Sequence, residues 1–199
     1  MLTHIQIKDT RTRILEAALH LFSRKGYLGA TTREIARQAG VAEITLFRYF
    51  PTKEELLEEI VARYSFLPAL KEMLPELRKM GYRESLARLA EKFIERLEER
   101  KDLIRIMQSE MAVYPSKVRK IYHSIIGEML HMLASYFREL QKQGKLRSFQ
   151  PELAAEAFLG MFFSHFYSRE LLYRRGQRKA DEKTLMKEFV ELFIKGTEK

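Results

Sequence analysis

The sequence of 199 residues contains no cysteine, no tryptophan and no asparagine, with only nine glycines and five prolines. Without cysteine it has no disulfide framework, no thiolate metal site and no cysteine nucleophile. The longest apolar stretch, around residues 158–167, is interrupted by Gly160, Ser164 and His165 and is too short to span a bilayer. No signal-peptide pattern is present. We therefore expect a soluble, cytoplasmic protein with no membrane partner.

The missing residue types also bear on habitat. Charged residues make up 32% of the chain. Few thermolabile residues together with abundant Glu, Lys and Arg are a tendency of thermophilic proteins. Chance in a short chain is the alternative interpretation.

Motifs of catalysis are absent as well. The five histidines, at positions 4, 20, 123, 131 and 165, never lie three or four residues apart, so no helical pair of metal ligands exists. There is no P-loop, nucleophile elbow or HExxH pattern. We expect no catalytic residue, no metal and no cofactor, and the enzyme class is disfavoured.

What the chain does have is positive charge, concentrated near its N-terminus. The formal net charge is +9, which favours an acidic partner such as nucleic acid. Residues 1–53 contain nine Lys and Arg against four Asp and Glu, and glutamates follow at positions 54, 55, 58 and 59. This distribution indicates a nucleic-acid-binding head rather than a uniformly basic surface.

Apolar residues recur at helical spacing along the whole chain, which predicts an all-α fold of about nine helices. The first helix is predicted from Thr10 to Lys25, with Asp9 as its cap and Gly26 as its stop. Pro115 and Pro151 suit the first position of two later helices. The last helix is predicted from about Asp181 to Lys195.

Residues 31–50 predict a helix-turn-helix. Thr31 and Glu34 form a capping box at the start of one short helix. Gly40 ends that helix because it can adopt a positive φ, and a further helix spans about Glu43 to Phe50. This construction presents a second helix to the major groove of DNA.

A second capping box, Thr52 with Glu55, begins the fourth helix. Lys53 lies in its first turn, where a lysine opposes the helix dipole. A nearby DNA phosphate explains this placement, since an exposed helix N-terminus binds the same group. A solvated surface lysine is the alternative.

Residues from Thr12 to Ile60 resemble the DNA-binding head of the tetracycline-repressor (TetR) family. The shared set comprises Leu21-Phe22, Gly26-Tyr27, the Thr-Thr-x-x-Ile-Ala run from Thr31, Ala39-Gly40-Val41, Thr45-Leu46-Phe47, Tyr49-Phe50 and Lys53-Glu54-Glu55-Leu56. The resemblance implies a head over residues 1–53 and a ligand-binding and dimerisation domain over residues 54–199. A helix from about residue 52 links the two.

The resemblance also implies roles for individual residues. Phosphate contacts are implied for Thr31 or Thr32, Thr45, Phe47, Tyr49 and Lys53, and base reading for Arg33, Glu43, Thr45 and Arg48. Three residues depart from the family pattern. Ala42 removes the usual side-chain cap of the recognition helix, Ile44 replaces a small residue, and Phe47 lacks the frequent tyrosine hydroxyl.

The helix that begins at Pro151 is apolar nearly all round, so it must be buried on two sides. A partner subunit is an economical second side, and the resemblance implies a homodimer on a palindromic operator. The expected interface comprises Leu159, Phe163, Tyr167, Leu171, Leu185, Phe189, Leu192 and Phe193.

The C-terminal part is rich in methionine and aromatic residues, which suit an adaptable apolar pocket. The expected lining comprises Phe66, Phe93, Met107, Met111, Tyr114, Tyr122, Met129, Phe162 and His165. Ordinary core packing is the alternative for each. The resemblance implies an effector such as an acyl chain, an aromatic drug or a lipophilic metabolite. A dimeric regulator without a small-molecule effector stays open.

Overall fold

A computed structural model describes residues 9–106, 115–172 and 182–199. These residues form helices and no strand, so the predicted all-α fold is confirmed. In chain order the helices are α1 (Thr10–Gly29), α2 (Thr32–Ala39), α3 (Glu43–Tyr49), α4 (Lys53–Tyr64), α5 (Leu67–Leu77), α6 (Tyr82–Glu99), α7 (Pro115–Lys142), α8 (Pro151–Tyr167) and α9 (Glu182–Thr197). Residues 101–106 are also helical, and a π-helical turn, Ser168–Leu172, continues α8. No helix within the described ranges has the length and apolar character needed to cross a bilayer.

The first helix begins where the sequence predicts and continues past its predicted end. Asp9 accepts hydrogen bonds from the Thr12 backbone N–H (2.8 Å) and the Thr12 hydroxyl (3.0 Å). These bonds, the backbone one first, lower the pKa of the Asp9 carboxyl. Gly26 leaves the helical region with φ 72°, as a stop residue should, but residues 27–29 add one more turn after this kink.

The chain divides into two compact units. The first contains residues 9–64 with 101–106 and 115–122, and the second contains residues 65–100, 123–172 and 182–199. Helix α4 thus groups with the head by its contacts, whereas the resemblance implies a boundary after residue 53 with this helix as the link between the two domains. The reason is packing, because Leu56 and Ile60 of α4 are fully buried and α4 contacts α1.

Aromatic rings fill the core of the second unit. Phe158 of α8 lies 5.1 Å from Phe162 and 5.0 Å from Phe193 of α9, measured between ring centroids, and Phe193 lies 5.6 Å from Phe137 of α7. Phe158, Phe162 and Phe137 have no exposed surface. The inner side of α8 is therefore committed to contacts within its own subunit.

Hydroxyl groups fix the ends of several helices in this unit. Ser85 donates to the Leu77 carbonyl at 2.9 Å, which joins the start of α6 to the end of α5. The Tyr82 and Thr197 hydroxyls are 2.8 Å apart in the interior, and burial raises the pKa of the Tyr82 phenol. These bonds satisfy buried polar groups that are otherwise costly to desolvate.

Candidate nucleic-acid interface

The start of α2 has the predicted capping box. The Glu34 backbone N–H donates to Thr31 Oγ1 (3.2 Å), and the Thr31 backbone N–H donates to Glu34 Oε2 (3.1 Å). Lys25 Nζ lies 2.6 Å from Glu34 Oε1. The lysine bond and then the Thr31 bonds lower the pKa of Glu34 to about 2. Glu34 is thus an ionised link between α1 and α2.

The turn between α2 and α3 depends on Gly40. Its φ of 67° lies in the left-handed region, and the next residue, Val41, donates its N–H to the Ala36 carbonyl at 3.0 Å. A Cβ at Gly40 would lie 3.4 Å from Arg13 Nη1. Ala42 then begins α3 with no side-chain cap, as the sequence predicts. The helix-turn-helix geometry is therefore confirmed.

Helix α3 buries Leu46 completely and presents its other side to solvent. Ile44 is 78% exposed, while Phe47 and Tyr49 are 39% and 37% exposed. The Arg48 guanidinium lies 5.8 Å from the centre of the Tyr49 ring. This surface therefore combines cationic groups that can contact phosphates and base edges with apolar groups that can contact thymine methyl groups.

The fold brings most of the predicted DNA-contacting residues to the surface of α2 and α3. The exposed ones are Thr31, Arg33, Phe47, Arg48 and Tyr49, and the half-buried ones are Thr32, Glu43, Thr45 and Lys53. The exposed Ile44, which departs from the family pattern, also lies on this surface, where an apolar side chain can contact a thymine methyl group, as its position in the sequence suggests. Arg37 was not predicted to contact DNA, although it lies one helical turn after Arg33 and helical spacing alone could have indicated it.

Two of the threonines expected to contact phosphate, Thr31 and Thr32, donate their hydroxyl hydrogens within the protein. Thr31 Oγ1 donates to Glu34 Oε2 at 3.1 Å, and Thr32 Oγ1 donates to Glu43 Oε1 at 2.7 Å. A phosphate contact by either hydroxyl must therefore replace or share an existing bond.

Lys53 also has partners within the head. Its ammonium donates to the Tyr27 carbonyl and lies 4.4 Å from the centre of the Tyr27 ring and 5.6 Å from that of Phe22. Cation–π attraction and this carbonyl offset the unfavourable helix dipole. At the same helix end, the Glu55 N–H donates to Thr52 Oγ1 at 3.1 Å, which is one half of the second capping box.

Two polar contacts attach α4 to α1. Arg11 Nη2 lies 3.1 Å from Glu59 Oε1, and Arg63 Nη2 donates to Thr12 Oγ1 at 3.1 Å. The Arg11 guanidinium also covers the Phe50 ring at 4.9 Å, next to the end of α3. We call the solvent-facing side of residues 31–50 the recognition surface. Helices α1, α3 and α4 therefore form one connected support for it.

The residues expected to line an effector pocket pack against other side chains wherever they are described. Phe66 and Phe93 are each 4% exposed with ring centroids 5.0 Å apart, and Met129 is also buried. Phe162 lies 5.6 Å and His165 6.2 Å from the Phe189 ring. Met107, Met111, Tyr114 and the side chain of Tyr122 lie outside the described residues.

The residues expected at the dimer interface differ in how exposed they are within the single subunit, and the interface itself stays a prediction. Leu159 of α8 and Phe193 of α9 are only 4% and 8% exposed within the single subunit, because both side chains face the core of the second unit. Phe163, Tyr167, Leu185 and Phe189 are half-buried, Leu192 is 62% exposed, and the side chain of Leu171 lies outside the described residues.

The outward side of α8 forms an open groove with α9. Leu153, Ala157 and Met161 line it from α8, and Leu192 and Gly196 line it from α9. Leu153 is 59% exposed, and a Cβ added at the exposed Gly160 would contact nothing within 4 Å. We call this surface the α8–α9 groove.

Comparisons with known proteins match both units. The family described as "Bacterial regulatory proteins, tetR family" matches residues 14–60, and "AefR-like transcriptional repressor, C-terminal domain" matches residues 84–196. The HTH-type transcriptional regulator YvkB of Bacillus subtilis is 29% identical over 190 residues, which cover 96% of this chain and 98% of that protein.

Solved structures agree on the fold. FadR from Bacillus subtilis, in complex with stearoyl-CoA, has a TM-score of 0.72 at 22% identity, covering 93% of this chain and 98% of that one. AibR, in complex with isovaleryl coenzyme A and operator DNA, has a TM-score of 0.63 at 20% identity, covering 92% and 97%. The chain therefore belongs to the TetR family, whose members are DNA-binding transcriptional regulators and not enzymes.

Proposed function

We propose that the chain is a homodimeric repressor that leaves a palindromic operator when an acyl-type effector binds its C-terminal unit. The exposed arginines of α2 and α3 support the DNA-binding part of this proposal. Arg33, Arg37 and Arg48 make no ion pair with any residue in the described ranges, so their charge is available to phosphates and guanine edges.

The test is operator binding at several salt concentrations, after selection of bound DNA from a random library. Arg48→Ala should weaken binding about tenfold or more if it contacts a guanine. The matched control is Arg88→Ala, an exposed arginine of α6 in the second unit. An equal effect of both substitutions would contradict a role for α3 in recognition.

The α8–α9 groove supports the dimeric part of the proposal. Three of its apolar residues, Leu153, Ala157 and Leu192, are exposed in the single subunit, and exposed apolar patches can mark protein interfaces. Two-fold pairing of such helices would present two recognition helices to a palindrome. In sedimentation, Ala157→Arg should convert a dimer to monomers, whereas Glu91→Arg, at an exposed glutamate of α6 away from the α8–α9 groove, should not.

The effector class rests on the structural neighbours and on the apolar character of the C-terminal unit. One neighbour is in complex with stearoyl-CoA and another with isovaleryl coenzyme A. Titration with both compounds, and with free coenzyme A as a control, should reveal binding and a rise in the operator Kd. Binding without any change in the operator Kd would exclude induction.

The alternative is a dimeric regulator without a small-molecule effector. The close packing of the described rings around Phe66, Phe93 and Phe162 favours it, because these side chains must move before an acyl chain can enter between them. Absence of binding by either acyl compound, together with intact operator binding, would support this alternative.

A further inference from the structure

The recognition surface has two carboxylates, and only one of them is paired with a cation. Between residues 31 and 50 the acidic residues are Glu34 and Glu43. Glu34 is bound to Lys25 and completes the capping box. Glu43 is half-buried, accepts one hydrogen bond from Thr32 at 2.7 Å, and makes no ion pair within residues 9–106, 115–172 or 182–199.

A hydroxyl donor orients a carboxylate without neutralising its charge. An ionised carboxylate has about four acceptor sites on its two oxygens, and Thr32 occupies one site on Oε1. A negative charge on a surface that approaches phosphates weakens binding to every DNA sequence. Glu43 can therefore favour binding only where the DNA offers a donor to its remaining acceptor sites.

The geometry points to Glu43 as a specificity-determining residue that accepts a hydrogen bond from the N4 amino group of cytosine. This inference rests on the operator binding proposed above. In the major groove only cytosine and adenine present amino donors. Adenine also presents N7, an acceptor that repels a carboxylate beside the N6 amino group, whereas cytosine has no acceptor on its own major-groove edge.

Thr32 is the positioning residue for this contact. Its bond to Oε1 spans α2 and α3 and limits the orientations of the carboxylate, which leaves Oε2 for the base. Ile44, the next residue and 78% exposed, supplies an apolar neighbour suited to a thymine methyl group. The side chains of Glu43 and Ile44 lie on the recognition surface, which also carries Arg48.

The experiment uses the full chain and selection of bound DNA from a random library, followed by Kd measurements on matched operators. Glu43→Gln keeps an acceptor for Thr32 and removes the charge. Thr32→Val removes the donor at nearly constant shape. Glu58→Gln, at an exposed glutamate of α4, is the control for the same change in net charge.

We expect the wild-type operator to contain one cytosine per half-site whose replacement by thymine weakens binding about fivefold to tenfold. Glu43→Gln should reduce this discrimination to within about twofold at that position only, and Thr32→Val should reduce it partly while the Tm stays unchanged. Glu58→Gln should leave the discrimination intact.

If all base preferences persist in Glu43→Gln, or if the position that it affects is adenine, the assignment to cytosine is wrong. Failure of the wild-type chain to select any DNA would instead overturn the operator binding itself.

Discussion

The recognition surface and the C-terminal helices differ in how far apart in sequence their contacting residues lie. In the head, decisive contacts join residues close in sequence, such as Thr31 with Glu34 and the Val41 N–H with the Ala36 carbonyl. In α8, Phe158 packs against Phe193, far along the chain. Local chemistry therefore fixes the helix-turn-helix, whereas tertiary packing decides which side of α8 is buried.

The largest expected effect is on the unfolding free energy, and it tests whether close-packed side chains fill the core around α8. Phe162 has no exposed surface and lies among other rings, so Phe162→Ala should cost about 3–5 kcal/mol of unfolding free energy in denaturant titration. Glu156→Ala, on the exposed side of the same helix, should change it by about 0.5 kcal/mol at most. A cost below about 1 kcal/mol for Phe162→Ala would instead indicate that the ring borders open space, as a pocket lining does.

The next effect concerns the turn that the head depends on. Gly40→Ala forces a side chain into the left-handed region, which should cost about 1–3 kcal/mol and weaken operator binding. Gly127→Ala, at an exposed position inside α7 where a Cβ meets nothing, should stabilise the protein by about 0.5–1 kcal/mol. Thermal unfolding distinguishes the two substitutions by the sign of the shift in Tm. Equal shifts would contradict the special role of the turn.

This difference also explains what the sequence could predict. The capping box at Thr31, the positive φ at Gly40 and the uncapped start at Ala42 follow from residue types at fixed spacings, and all three are present. The outward side of α8 could not be predicted in the same way. Because α8 is apolar nearly all round, no contrast of polarity distinguished Leu159, which is buried, from Leu153, which is exposed.

Lys53 lies between these two cases. Its conflict with the helix dipole is visible in the sequence and predicts a phosphate contact, which stays a prediction, whereas the structure gives the ammonium a partner inside the head, the Tyr27 carbonyl. The identity of that partner depends on tertiary structure, because Tyr27 is 26 positions away. The kink at Gly26 turns the Tyr27 carbonyl and ring toward α4, and the sequence contains no local signal for that contact.

A substitution at Lys53 separates its two roles. Lys53→Met removes the ammonium and should lower stability by about 0.5–1 kcal/mol, because the cation–π attraction to Tyr27 disappears. If Lys53 also binds a phosphate, the slope of log K against log salt should become shallower by about 0.9 in the variant. Lys145→Met, an exposed lysine of the second unit, should change neither quantity. A lower stability with an unchanged salt slope would restrict Lys53 to its role within the head.

The smallest expected effect is the pH dependence that Glu34 contributes. Its pKa falls from 4.5 to about 2 on folding, chiefly through the bond to Lys25. A carboxyl with a lowered pKa in the folded state stabilises that state above its ordinary pKa, and the contribution is lost as pH falls toward about 2. In calorimetry, the Tm of the wild-type protein should therefore fall more between pH 4.5 and pH 2 than that of Glu34→Gln.

Glu58→Gln serves as the control, since Glu58 is an exposed glutamate of the neighbouring α4. The effect is small because the pair is partly solvated, and water and salt screen such contacts. Parallel Tm profiles of the wild-type protein and Glu34→Gln would show that the link between α1 and α2 depends on packing alone.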